Sequence, residues 1–266
     1  MRFQSILNAR DLGGLPAAGG RPVRSGRLLR SALLHDASDE DIRILSEEYR
    51  LRKIFDFRSI PENEFQPDRT VPGAEHILIP TLDQEAERRS GEAVPAQTWL
   101  DLPKHIVELS FTQLFKKKAR ELYPSLIESE YSQLQYAAFL NIILDTPDGA
   151  VLWHCSQGKD RTGIGATLIL GALGADRQTI IDDFALSYEP YRQLVETLCE
   201  EAARLGAGED EFDVIRAFMG VSVRNFTATM DLIDSKYGGM HSYLTETLLL
   251  SEEDLATLRT RYLELP

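Results

Sequence analysis

Apolar positions along the chain alternate between two spacings. Short, nearly continuous apolar runs at Lys53-Ile54-Phe55-Asp56-Phe57, His76-Ile77-Leu78-Ile79 and Val151-Leu152-Trp153 read as buried strands. Helical spacing appears in Ile42, Leu45 and Tyr49, behind a Ser38 that can cap with Asp41 three residues on. It returns over 131–144 through Leu134, Ala138, Leu140 and Ile142, and again in a small-residue stretch from Thr162 to Leu173 that Gly174 ends. Ile180, Ile181 and Phe184 mark a further helix, and Leu194, Val195 and Leu198 another beyond the break at Glu189-Pro190. Residues 1–34 are turn-rich, with short strands expected around Val23 and Leu28-Leu29. After the loop at 206–210, runs at Phe226–Leu232, Tyr243–Leu250 and Leu255–Leu263 are helix-like. Strands alternating with helices predict an α/β fold with a mostly parallel central sheet and helices on both faces. No repeat or linker divides the 266 residues, so the whole chain, 1–266, reads as one domain.

From about 81 to 130 the pattern changes. Charges cluster (Asp83, Glu85, Glu87, Arg88, Arg89), Gly91 and Pro95 interrupt the chain, and helical spacing resumes with Ile106, Leu109, Leu114 and Phe115. That is too long for a plain connection and predicts a helical insert, a lid beside a site. Lys116-Lys117-Lys118 with Arg120 is a dense basic run, read either as a solvated helix face or as a dock for an anionic headgroup or acidic peptide.

Charge narrows the function. The formal net charge is −13, which argues against general attraction to nucleic acid or to an anionic membrane, so an anionic substrate needs a local positive site. Two cysteines, Cys155 and Cys199, form no disulfide framework and fit a reducing compartment, with Cys199 packed on a helix. No apolar run approaches the roughly 18 residues that span a bilayer, and the N-terminus lacks a long apolar core. Cytoplasmic residence and no integral membrane segment are the expectations.

The chemistry gathers in one stretch. A strand ends at His154, a seven-residue turn runs from Cys155 to Arg161, and a Gly/Ala-rich helix follows. A strand–loop–helix junction aims the N–H groups of Ser156, Gln157, Gly158, Lys159, Asp160 and Arg161 into one concavity, with the positive helix end behind them. Such a field favours the Cys155 thiolate below the free-cysteine pKa of about 8.5. Arg161 can fork onto two oxygens of a tetrahedral anion. A buried bystander cysteine would explain neither Gly158 nor two cations at a positive helix end. Neither a metal nor another cofactor is expected.

His154-Cys155-(five residues)-Arg161-Thr162 resembles the H-C-x5-R-[ST] loop of the cysteine-dependent phosphatases, which include the protein tyrosine phosphatases. Gly158-Lys159-Asp160-Arg161-Thr162-Gly163 is similar to a bacterial branch that also accepts phosphoinositides. Asn8-Ala9-Arg10-Asp11-Leu12-Gly13-Gly14 and Asp56-Phe57-Arg58-Ser59, with Glu62 or Glu64 following, agree with that branch. The resemblance implies attack of Cys155 on phosphorus, a phosphocysteine and its hydrolysis, with release of inorganic phosphate. Phosphotyrosine in a protein or peptide is the leading substrate and a phosphoinositide the alternative, for which Lys159 would add a second cation in the cradle. A weakly catalytic phosphate-binding module is the remaining rival. Thr162 would assist sulfur as it leaves, and His154 would orient the loop. Arg10 and Asp11 would pair with each other as a buttress, and Arg30-Ser31 would support the same region.

The general acid is open. No W-P-D occurs, and Trp99-Leu100-Asp101 departs from it. Asp160 stands first, Asp56 second because partial burial between Phe55 and Phe57 would raise its pKa, and Asp83 third on a swinging lid. A nucleotide P-loop fails for want of G-x4-G-K-[ST]. Arsenate reductase would need more cysteines, a sulfurtransferase would lack His154, and low-molecular-weight phosphatases carry their cysteine loop near the N-terminus.

Overall fold

The computed structural model describes residues 3–83, 121–146 and 148–265. Five strands form one sheet in the order β1-β2-β5-β3-β4. They are β1 (Arg10–Asp11), β2 (Leu28–Ser31), β3 (Leu51–Asp56), β4 (Glu75–Leu78) and β5 (Ala150–His154). β1 runs antiparallel to β2 and the other pairs are parallel, as the pattern predicts. Val23 makes an isolated bridge to Leu263 rather than a strand.

β5 is central and wholly buried, and alternation along it feeds two cores. Val151 and Trp153 join the larger cluster, while Ala150 and Leu152 join a second one with Leu29, Leu45 and Ile54. That second face is covered by α1 (Asp39–Arg43), whose Ser38 side chain accepts from the Asp41 N–H as its spacing predicts. The larger face takes α3 (Glu130–Leu144) and α4 (Asp160–Leu173). Phe139 of α3 meets Phe55, Phe57 and Trp153 edge-on, with centroids 5.0, 5.1 and 5.6 Å away. α4 lies so close to the sheet that a Cβ at Gly165 would come 2.8 Å from the Phe57 ring. Its small residues are therefore a packing requirement.

The remaining helices are the short α2 (Ile60–Phe65), α5 (Arg177–Ala185), α6 (Arg192–Arg204), α7 (Glu209–Met219), α8 (Val223–Tyr237) and α9 (Glu252–Tyr262). α6 and α7 share a small core of their own, including Val195, Leu198, Val214 and Ile215. Residues 84–120, which hold most of the expected insert, Asp101 and the basic run Lys116–Arg120, lie outside the described residues. Among the described residues no helix is long and apolar enough to cross a membrane.

Candidate active site

Parallel pairing sets the site at the carboxyl ends of β2, β3 and β5. Ser31 and Asp56 both register with His154, so the loop after β5 emerges between the loops after β2 and β3. Gly158 sits at φ +65°, and a Cβ there would stand 2.3 Å from the Ser31 carbonyl oxygen. Glycine is needed for both reasons.

Four successive loop carbonyls, those of residues 156–159, have hydrogen-bond partners. Ser156 O accepts from Leu33 N–H at 3.4 Å. Gln157 O accepts from Asn8 Nδ2 at 3.1 Å and the Tyr191 hydroxyl at 2.7 Å. Gly158 O accepts from Asn8 Nδ2 at 2.8 Å and Arg30 at 2.9 Å, and Lys159 O from Gly163 N–H at 2.6 Å. In a trans peptide the N–H opposes the C=O, so the N–H groups of residues 157–160 point away from those partners. A run of such N–H groups can form a nest suited to an anion. Arg30 buttresses it as expected. Arg10 does not pair with Asp11: it binds Asp183 at 2.7 Å and Asn8 Oδ1 at 2.6 Å, because Asp11 is engaged by the N–H groups of Gly13 and Gly26.

Cys155 lies at the base of the nest, 4% exposed. Burial opposes its ionisation, but the Arg161 guanidinium and then the hydroxyl and amide of Thr162 outweigh it, holding the thiol below its ordinary value. The buried Thr162 hydroxyl has no hydrogen-bond partner among the described residues, though it is near enough to Cys155 to help lower its pKa. Cys155 and Cys199 are both free.

Arg161 is held by Glu62. Nη1 and Nη2 donate to the two carboxylate oxygens at 2.8 and 2.7 Å, a fork-on-fork pair. Nη2 also reaches Ser156 Oγ at 3.1 Å, and Ser156 Oγ donates to Glu62 at 2.7 Å. Nε has no protein acceptor among the described residues and remains for a phosphoryl oxygen. Glu62 is fixed in turn by the first turn of α2, where it forms a capping box with Ser59. Burial would raise its pKa, but Arg161 holds the carboxyl well below the usual range.

A buried cysteine with a lowered pKa, beside a clamped guanidinium and a loop of backbone N–H groups, suits phosphoryl transfer to sulfur. The tyrosine phosphatase family profile matches residues 1–264. The chain belongs to that family. A Cupriavidus necator protein provisionally named a tyrosine-protein phosphatase is 31% identical over 268 residues, covering 99% of this chain and 88% of its relative. A tyrosine-protein phosphatase of Nostoc commune is 34% identical over 135 residues, 49% of this chain and 45% of that one. The triple specificity protein phosphatase PtpB of Mycobacterium tuberculosis is 32% identical over 104 residues, 36% and 38% of the two chains.

Within this phosphatase fold the acid candidates separate. Asp160 opens α4, and Tyr123, on the helix at 121–128, donates its hydroxyl to Oδ1. Tyr123 is itself held by edge contacts to Phe184 and Phe226. Oδ2 has no protein donor among the described residues. Asp56 corrects the expectation that burial raises its pKa. Burial does push that way, but His154 and Arg58 outweigh it and hold the carboxylate charged. Its oxygens are occupied by Arg58 at 2.7–3.0 Å and Asn63 at 3.0 Å, so it is a structural anion. Lys159 is a second correction. Its backbone lines the nest, but its buried ammonium turns away and donates to Phe218 O and Gly220 O, both at 2.6 Å. The end of α7 thus offers two carbonyls that the substrate cradle does not.

Behind Cys155, His154 is packed among Asp56, Asp68 and His76, whose ligand-type atoms lie within 4.8 Å of one another. Such donors could hold a cation, but Arg58 already lies 2.7 Å from Asp56 and 3.0 Å from Asp68. The sequence carried no periodic signal for Asp68 or Tyr123, and Glu62 could be found there only as one of two glutamates.

Proposed function

We propose that the chain hydrolyses phosphotyrosine in proteins or peptides through a phosphocysteine on Cys155. The observation that carries this is Arg161, clamped by Glu62, beside a buried Cys155 whose thiol it holds below its ordinary pKa. In the first step the sulfur lone pair attacks phosphorus and the P–O bond to the phenol breaks. Asp160 gives its proton to the leaving oxygen. In the second, water attacks phosphorus, Asp160 takes its proton, and the S–P bond breaks as Thr162 steadies the returning thiolate. The nest and Arg161 match three equatorial oxygens that are most charged in the transition state. A sulfur this enclosed favours a phosphoryl group carried on a long aryl arm. The phosphoinositide reading relied on Lys159 in the cradle, and its ammonium lies elsewhere.

Turnover of a phosphotyrosine peptide, a phosphoserine peptide and a phosphoinositide tests the substrate. The phosphotyrosine peptide should give the highest kcat/KM, and a phosphoinositide turned over faster would replace this reading. For the acid, Asp160→Asn should remove the basic limb of the pH–rate profile and slow aryl phosphates by about 10²–10³-fold, most for the more basic leaving group. Equal slowing of two leaving groups with both limbs kept would leave Asp160 as a loop-shaping residue.

A further inference from the structure

A cluster of titratable side chains stands behind Cys155 that the chemistry above does not use. His154 is fully buried. Its Nδ1 is 3.3 Å from the Cys155 carbonyl oxygen and 3.8 Å from Asp56 Oδ1. Its Nε2 is 3.0 Å from Asp68 Oδ2. Each ring nitrogen therefore faces acceptors, and a neutral imidazole would turn one lone pair onto an oxygen. The doubly protonated ring turns positive charge to the acceptors on both sides.

Asp68 is the centre of this group. Its Oδ1 accepts from Leu34 N–H at 2.6 Å, and its Oδ2 lies 3.0 Å from each of Arg58 Nη2, His76 Nε2 and His154 Nε2. The approach to His154 falls off the line of its N–H, so the contact is coulombic before it is a hydrogen bond. The groups facing His154 are Asp56 at the end of β3, Arg58 just beyond it, Asp68 in the loop after α2, and His76 on β4, whose ring centroid is 6.3 Å away. Asp56 and Asp68 bring two carboxylates to His154 against the single guanidinium of Arg58, an imbalance that favours the imidazolium.

We propose that Asp68 is a positioning residue of the phosphatase reaction: it keeps His154 as an imidazolium that fixes the Cys155 peptide and adds positive charge behind the sulfur. Burial opposes protonation of His154, and the Asp56 and Asp68 carboxylates overcome it, raising its pKa. The role rests on the phosphocysteine reading, but its test does not. Iodoacetamide alkylation of Cys155 reports the thiolate without any substrate. Asp68→Asn should move the midpoint of the alkylation profile upward by about one pH unit, a tenfold loss of thiolate below it. With an aryl phosphate at pH 6 it should lower kcat about tenfold with little change in KM. An unmoved alkylation midpoint in a variant with wild-type melting overturns the role, whereas a moved midpoint in a protein with no turnover would overturn the phosphatase reading alone. Should Asp68→Asn fail to fold, ¹⁵N-histidine spectra of the wild type decide. Both His154 ring nitrogens should be protonated at pH 7.5, and a neutral tautomer there overturns the proposal. So would one zinc ion per purified chain that is lost on Asp68→Asn.

Discussion

Cys155→Ser should abolish turnover, lowering kcat by at least about 10⁴-fold, while keeping the affinity for a phosphotyrosine peptide or inorganic phosphate within a few-fold of wild type. The two halves of that result come from different atoms. The proposed nucleophile is the sulfur, whose pKa Arg161 and Thr162 lower against its burial. A serine hydroxyl ionises many pH units above a thiol. The binding site is the backbone nest, and its shape is imposed from outside by Asn8, Arg30, Tyr191 and Leu33 acting on the loop carbonyls. None of those contacts involves the sulfur. Single-turnover kinetics with calorimetric titration of inorganic phosphate separate the two halves. Turnover within tenfold of wild type would remove the cysteine mechanism, and lost phosphate binding with intact folding would mean that the sulfur itself shapes the nest.

The central architecture was legible because it is written in periodic burial. β5 alternates Val151 and Trp153 against Leu152, and α4 carries glycines where Phe57 and Phe184 press on it. The nucleophile and its loop were legible for a related reason: Cys155, Gly158 and Arg161 are spaced by a turn whose geometry permits few substitutes. The residues around that loop carried no such spacing. Asp68 stands in an irregular stretch after α2, and Tyr123 comes to Asp160 from 37 positions away. Charge reasoning from neighbours in sequence also misled at two places. Asp56 lies between two phenylalanines, but the partners that set its charge are Arg58 and His154. Lys159 is next to the cradle in sequence and is drawn off by the carbonyls at the end of α7, 59 and 61 residues away. Long-range polar partners are chosen by the fold, and a single sequence does not display them.

Arg161→Lys is expected to cost about 10²–10³-fold in kcat although it preserves charge. Arg161 does two things at once. One edge of its guanidinium is committed to Glu62 at 2.7 and 2.8 Å, and Nε is left for the phosphoryl oxygens. A lysine ammonium is a single point of donors and must choose between Glu62, which stays fixed by the Ser59 capping box, and the substrate. The carboxylate wins, because it is present in every state while the transition-state charge is transient. Comparing Arg161→Lys with Arg161→Ala isolates geometry from charge. Lysine leaves a cation near the sulfur, so the Cys155 alkylation midpoint should stay within about half a pH unit of wild type while kcat collapses. Alanine removes the cation that most opposes the burial of Cys155, so its midpoint should rise as well, and alkylation below it should slow. Glu62→Gln should fall between wild type and Arg161→Lys, since a neutral amide accepts at one oxygen instead of two. If Arg161→Lys keeps kcat within tenfold of wild type, a guanidinium that holds Glu62 and the phosphoryl group at once is not what stabilises the transfer.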